Sequence, residues 1–156
     1  MSAADRAETL QYLTFQLDEE LFALDVSKVR EILEVDTITR VPQVPGFMRG
    51  VINLRGSVVP VIDLKLKFGL AETQSTINTC IIVVEVQLDG TTTVLGALSD
   101  SVQEVVEMEP GEIEPSPRIG SRVNTEFIKG MAKSEGKFVM ILDIDKVFAG
   151  DDLTVS

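Results

Sequence analysis

Two parts of this 156-residue chain repeat one another in the same order, so any fold it adopts must accommodate a duplicated unit. Phe47-Met48-Arg49-Gly50 returns 80 positions later as Phe127-Ile128-Lys129-Gly130. At the same offset Gly56 meets Gly136, Asp63-Leu64 meets Asp143-Ile144, and Phe68 meets Phe148. Closer to the N-terminus, Gln16-Leu17-Asp18 is answered by Gln87-Leu88-Asp89, and Val29-Arg30-Glu31-Ile32 by Val102-Gln103-Glu104-Val105 at an offset of 73. The change from 73 to 80 puts seven extra residues in the second copy, around the turn-rich stretch Glu109 to Ser121. Units of some 70 to 80 residues bury little surface alone, so two of them should share an interface, with a groove between them as a natural binding place.

The local pattern says what each unit is made of. Apolar runs of four to eight residues, rich in Val and Ile and ending at Gly, Asp or Pro, read as strands. They are Tyr12 to Leu17, Val58 to Ile62, Ile81 to Leu88, Thr93 to Leu98 and Phe138 to Leu142. In the first, Tyr12, Thr14 and Gln16 alternate with Leu13, Phe15 and Leu17, which predicts one solvated face. Asp18-Glu19-Glu20 and Asp89-Gly90 stand where hairpin turns belong. Asp25 and Ser27 are placed to cap a helical turn through Val29, Ile32 and Leu33, and Asn124 or Thr125 to start one through Phe127 and Met131. The expected fold is all-β with a few short helices.

Duplication also provides an internal control, because what both copies share is what the scaffold needs. The paired glycines Gly50/Gly130 and Gly56/Gly136 point to special backbone conformation or close approach. Asp63 and Asp143 each follow an apolar strand and are placed to cap a helical turn. The alternative, a hydrolase in which these two carboxylates share a proton, lacks the Thr and Gly that should follow a catalytic Asp; Leu64 and Ile144 stand there. Between the paired glycines the copies diverge: Val51-Ile52-Asn53-Leu54-Arg55-Gly56 against Met131-Ala132-Lys133-Ser134-Glu135-Gly136. Glu135 takes the place of Arg55, so the scaffold does not itself require Arg55, and its role is expected to be external.

Charge agrees. The chain carries 14 Lys plus Arg against 25 Asp plus Glu, a net charge of −11, yet Thr37 to Ile62 contains no acid and three arginines, Arg40, Arg49 and Arg55. Such a patch suits an acidic partner; equally, the arginines could pair with the chain's own acids. The acidic run from Glu104 to Glu114 matches no calcium loop and reads as the wet side of a strand end.

Several functions are disfavoured by what is missing. There is no His, hence no Ser-His-Asp triad and no His metal ligand. The single cysteine, Cys80, beside Ile81 and Ile82, reads as a small buried hydrophobe. Phosphate loops, dinucleotide-binding turns and nucleophile elbows are absent. The expectation is a non-enzyme without metal or cofactor. The net negative charge disfavours nucleic acid. No signal-like or membrane-spanning run occurs, so a cytoplasmic location without membrane insertion is expected.

Lys28-Val29-Arg30-Glu31-Ile32-Leu33, the segment RVPQVPGFMRGVINLRG from Arg40 to Gly56, and Val59-Pro60-Val61-Ile62-Asp63-Leu64 together resemble the CheW family of chemotaxis coupling proteins. The resemblance runs from about Gln11 to Phe148, including Gly96 and Asp100-Ser101-Val102, with Ser99 standing where an apolar residue is usual. It implies two five-stranded SH3-like barrels packed about a hydrophobic core. A flexible N-terminus over 1–10 would precede a domain over 11–148, with subdomains near 11–78 and 79–148 that leave room for strand exchange, and a tail over 149–156. It also implies a non-catalytic adaptor that joins the cytoplasmic tip of chemoreceptors to the regulatory domain of the histidine kinase CheA, monomeric alone and part of arrays when assembled. An adaptor for another receptor–kinase pathway, such as twitching motility, is the neighbouring reading. The resemblance places Val29, Glu31, Arg55, Gly56, Ile81 and Gly96 at or near the receptor- and kinase-contact surfaces and Val105 on the groove side of the second barrel. The adjoining Ile32, Arg49, Gly50, Asn53 and Leu54 complete the candidate binding set. Val29, Ile32, Ile81 and Val105 would form an apolar strip in the inter-barrel groove.

Overall fold

A computed structural model describes residues 10–115 and 125–149; all but Leu10 of the expected N-terminal segment 1–10, all but Ala149 of the expected tail 149–156, and residues 116–124, with Asn124 and the end of the turn-rich stretch, lie outside the described residues. Ten strands run in the order β1 Leu10–Leu17, β2 Glu20–Asp25, β3 Val29–Glu34, β4 Met48–Leu54, β5 Ser57–Asp63, β6 Cys80–Leu88, β7 Thr91–Ser99, β8 Ser101–Met108, β9 Ile128–Ser134 and β10 Lys137–Leu142. Two one-turn helices, α1 Leu64–Lys67 and α2 Ile144–Phe148, follow β5 and β10. All five runs predicted as strands are strands, and both predicted turns join hairpin arms.

The strands form two five-stranded sheets, β8-β1-β2-β10-β9 (sheet I) and β3-β6-β7-β5-β4 (sheet II). Replacing every strand of sheet I by its repeat partner reproduces the order of sheet II, so the duplication governs the topology. The sheets do not divide the chain where the repeats do. Sheet II is built from residues 29–99, sheet I from 10–25 together with 101–142. Each repeat gives its leading hairpin to one sheet and its other three strands to the other. The chain crosses at Val26–Lys28 and again at Asp100. Two parallel pairings, β2 with β10 and β5 with β7, seal the exchange.

Burial follows from this arrangement. The largest apolar cluster lies between the sheets and draws Leu13, Phe15, Leu17 and Phe22 from sheet I, Ile62, Ile82, Val84 and Leu95 from sheet II, and Phe68 and Phe148 from beside the helices. Rings of Phe15, Phe22, Phe68 and Phe127 run through it with successive centroids 5.9, 6.1 and 5.8 Å apart, the spacing of favourable aromatic pairs. Each sheet also encloses a smaller cluster, around Tyr12, Val139 and Ile141 in sheet I and around Val61, Ile81 and Val83 in sheet II.

Four local expectations change. Of the helical turn expected from Asn124 or Thr125 through Met131, only the 3-10 turn Thr125–Phe127 forms, and Met131 lies in β9, paired with β10. β1 has no solvated face: Tyr12 is 1% exposed and Thr14 4%. A curled sheet covers the second face of its own strand, and the Thr14 hydroxyl is satisfied by donating to the Glu104 carbonyl at 2.9 Å. Val29, Ile32 and Leu33 are strand rather than helix. Asp25 does cap, accepting from Ser27 N at 2.9 Å, but only the 3-10 turn Val26–Lys28, after which pairing with β6 takes over. Cys80 is half-buried rather than buried, its thiol donating to the Asn78 carbonyl at 3.3 Å.

Features shared by the copies are structural. Asp63 accepts from Lys65 N and Leu66 N, and Asp143 from Lys146 N, each capping its helix. Asp63 is fully buried and also accepts from Arg49 at 3.1 Å and from the amide and hydroxyl of Thr73. A buried cation, Lys65, links the sheets by pairing with Asp18 at 2.6 Å and Asp100 at 3.5 Å. Burial opposes its charge, but the hydrogen bond to Asp18 and the charge of Asp100 hold its pKa above the usual value. The repeat counterpart of Lys65 is Asp145, which accepts from Lys28 at 3.1 Å and from Gln87 N at 2.8 Å, so the equivalent tie has its charges reversed.

Gly50 and Gly130 allow a passing segment to approach β4 and β9. Thr39 exchanges two backbone hydrogen bonds with Val51, at 2.9 and 2.8 Å, and Glu114 does the same with Met131, both at 2.7 Å. A Cβ on Gly50, whose φ is +146°, would stand 2.2 Å from the Thr39 carbonyl oxygen, whereas one on Gly56, at φ +88°, would meet nothing. Chemical denaturation should therefore separate the two glycines: Gly50→Ala is expected to lose more than about 3 kcal/mol through a clash with backbone that cannot move, and Gly56→Ala only about 1 to 2 kcal/mol, the cost of a left-handed residue.

Candidate functional site

The edges of sheet II, β3 and β4, are not joined by a continuous ladder. At one end the Thr39–Val51 bridge spans them; at the other, Arg55 reaches back to Glu31. The β4–β5 turn aims it: Arg55 takes φ +51° and Gly56 φ +88°, a left-handed pair suited to a two-residue hairpin turn. Asn53 secures the turn by accepting from Gly56 N at 2.9 Å. The guanidinium then donates to both oxygens of Glu31, at 2.6 and 2.9 Å, the bidentate geometry that strengthens an arginine–carboxylate pair.

The pair is presented outward. The Arg55 side chain is 72% exposed and that of Glu31 26%. The hydrogen bond from Arg55 holds the Glu31 carboxyl below its usual pKa, and Glu31 in turn raises that of Arg55. Beside the pair lies a cleft of about 490 Å³ lined by Arg30, Leu54, Ser57, Val58 and Thr93 among others. Val58, in its lining, is 60% exposed, and Ile32, next to Glu31 in β3, is 44% exposed. An ion pair with unsatisfied donors, flanked by apolar side chains in water, can bind a protein surface; nothing in the arrangement positions a nucleophile or a general base.

The structure sorts the remaining candidates. Val29 is half-buried against the inter-sheet core, as is its repeat partner Val102. Leu54 packs on the interior cluster of sheet II. Ile81 is 1% exposed inside that cluster, and Gly96 is buried beneath it, where an added Cβ would meet the Ile81 side chain at 2.7 Å. These two residues pack against one another and offer no surface. Ile81 is therefore absent from the apolar strip expected in the groove, because its side of β6 faces the interior of sheet II. Ile32 and Val105 are repeat-equivalent positions, one on each sheet, and both are exposed.

The arginines follow the internal-pairing alternative more than the free-patch one. Arg49 is taken up by Asp63, the Thr73 carbonyl at 3.2 Å and Glu72 at 3.7 Å, and Arg55 by Glu31. Arg40 is exposed and makes no ion pair among the described residues. Sequence reasoning missed Val58 and its partner Phe138, 63% exposed. Their signal is the repeat itself, since both open strands whose following residues are buried.

Comparison with known proteins is consistent with this architecture. The family model described as the CheW-like domain matches residues 11–152. The chain is 32% identical to the chemotaxis protein CheW of Klebsiella aerogenes over 145 residues, covering 93% of this chain and 85% of that protein. It is 29% identical to the chemotaxis protein CheW of Thermotoga maritima over 155 residues, covering 97% and 95%. The crystal structure of the scaffolding protein TtCheW from Thermoanaerobacter tengcongensis superposes with a TM-score of 0.79 at 36% identity, covering 89% of this chain and 87% of that one.

Because Glu31 has a lowered pKa in the folded protein, its pairing stabilises the fold above the ordinary glutamate range, and that contribution disappears as pH falls through the folded pKa. In Arg55→Gln the Glu31 carboxyl, followed by NMR titration, should rise to the usual glutamate range while the fold is retained. An unchanged titration would mean that Arg55 does not govern Glu31 in solution.

Proposed function

This chain belongs to the CheW family and is a chemotaxis adaptor, and we propose that it couples the cytoplasmic tip of chemoreceptors to the regulatory domain of the histidine kinase CheA. The observation that supports this reading most directly is the Arg55–Glu31 pair. The family resemblance gives both residues to partner contact, and they converge in one bidentate ion pair that lines a cleft with exposed Val58. The repeat shows that the scaffold folds with Glu135 at the position of Arg55, which leaves Arg55 available for a partner.

The physics suits reversible assembly. Apolar contact on Ile32 and Val58 supplies affinity, and the guanidinium, with donors beyond those used by Glu31, selects a partner carboxylate at the rim. Contacts of this size are weak singly and add when many copies are held together, as in an array. The protein is monomeric alone in this reading and acts without catalysis, cofactor or metal. Asp63 and Asp143, the carboxylates a hydrolase would need, are each engaged in capping a helix, and Asp63 also neutralises Arg49. Among the described residues no helix is long and apolar enough to cross a membrane, and the proposed location is the cytoplasm, recruited to receptor clusters.

Reconstitution decides the matter. Added to receptor-containing membranes and CheA, the protein should stimulate kinase autophosphorylation, and Arg55→Glu should weaken association with at least one partner while the melting temperature stays within a few degrees. No stimulation in a mixture that responds to another CheW would refute the coupling role, and stimulation only with components of a twitching system would reassign the pathway.

A further inference from the structure

The repeat lays out the Arg55–Glu31 site twice, and among the described residues only the first copy closes on itself. Glu104 in β8 holds the place of Glu31 in β3. Glu135 holds the place of Arg55 on the same left-handed backbone, with φ +50° against +51°. A second cleft, of about 380 Å³, opens there on sheet I, lined by Thr14, Gln103, Glu104, Ser134, Glu135 and Lys137 among others. The cleft is firmly built: β1 and β8 shift register around Thr14, whose hydroxyl fills the gap by donating to Glu104 O at 2.9 Å and accepting from Glu104 N at 3.1 Å. Yet where Glu31 receives two guanidinium hydrogen bonds, the carboxylates of Glu104 and Glu135 have no hydrogen bond or ion pair among the described residues. Exposed apolar residues adjoin the lining residues Glu104 and Lys137 in the chain. Val105 and Phe138, the counterparts of Ile32 and Val58, are 53% and 63% exposed, with Lys133 Nζ 5.7 Å from the centroid of the Phe138 ring.

We propose that this second cleft docks a loop of a protein partner that supplies in trans the arginine this copy of the site lacks. The partner's guanidinium enters between Glu104 and Glu135, and an apolar side chain beside it rests on Val105 and Phe138. Arginine is the fitting cation because its planar fork matches a carboxylate in two hydrogen bonds, as Arg55 does on Glu31 in the equivalent frame. The lining holds three glutamates, Glu19, Glu104 and Glu135, against one lysine, Lys137, so the cleft carries the negative charge that a cationic loop requires. The inference stands apart from the identity of the proteins the chain couples.

Two measurements test it. In thermal melts, Glu135→Arg should raise the melting temperature by building the missing pair with Glu104, and the gain should vanish in the Glu104→Gln background; equal melting temperatures in both backgrounds would show that the cleft does not fit a guanidinium. For docking, the probe is a cyclised peptide with the sequence of residues 50–62 of this chain, titrated into the isotopically labelled full-length protein. Saturable amide shifts are expected at residues 103–105 and 134–138, with affinity reduced at least tenfold by Arg55→Gln in the peptide or by Glu135→Arg in the protein. No saturable shift, or an affinity indifferent to Glu135→Arg, would overturn the proposal. Self-association of the protein alone through the same residues would reassign the site to a second copy and also overturn it.

Discussion

The apolar core between the two sheets is the constraint from which the other features follow. Neither sheet can bury its inner face without the other, and neither repeat owns a complete sheet. Leu13, Phe15 and Phe22 from the first hairpin meet Ile82, Val84 and Leu95 from the second across that core, while the remaining strands of each repeat complete the opposite sheet. At about 25 cal/mol per Å² of apolar surface removed from water, a cluster of this size, with its row of phenylalanine rings, outweighs any single ion pair in the molecule. Lys65 and the Lys28–Asp145 pair orient the sheets; the apolar contact holds them together.

With that frame fixed, the outer ends of the sheets are free to diverge. The backbone of the Arg55 turn and that of the Glu135 turn are nearly the same, with φ values one degree apart. The chemistry displayed is opposite: a satisfied bidentate pair on one sheet, and on the other two carboxylates without a partner among the described residues. Duplication has preserved the turn, with Gly56 and Gly136 at φ +88° and +80°, while the residue before each glycine has diverged from Arg to Glu.

Much of the fold was legible in the sequence because the signals were local or repeated. The strands announce themselves through Val and Ile runs, Asp63 and Asp143 through their place after a strand, and Gly50 and Gly130 through recurrence. What failed depended on partners distant in the chain. Val29 to Glu34 looks helical locally because its capping residues are real, and only β6, some fifty residues on, makes it a strand. Tyr12 and Thr14 seem to face water until the curl of the sheet covers them. For the site, the control that isolated Arg55 could not foresee that Glu31, 24 residues earlier, would meet it, since Glu31 has a counterpart in Glu104 and looked structural. Ile81, assigned to a surface by resemblance, is buried because the alternation of β6 turns it inward.

The reciprocal exchange of strands has a consequence for how the protein is made. Synthesis delivers residues from the N-terminus, and β1–β2 leaves the ribosome before the other strands of the two sheets. Its sheet mates β8, β9 and β10 begin only at Ser101 and end at Leu142. Sheet II, complete by Ser99, can assemble earlier, at the usual rates of some 5 to 20 residues per second. For several seconds the nascent chain therefore exposes Leu13, Phe15, Leu17 and Phe22 without the strands that will complete their sheet. That interval, rather than the stability of the finished molecule, is when this fold is most open to wrong pairing or to capture by a chaperone.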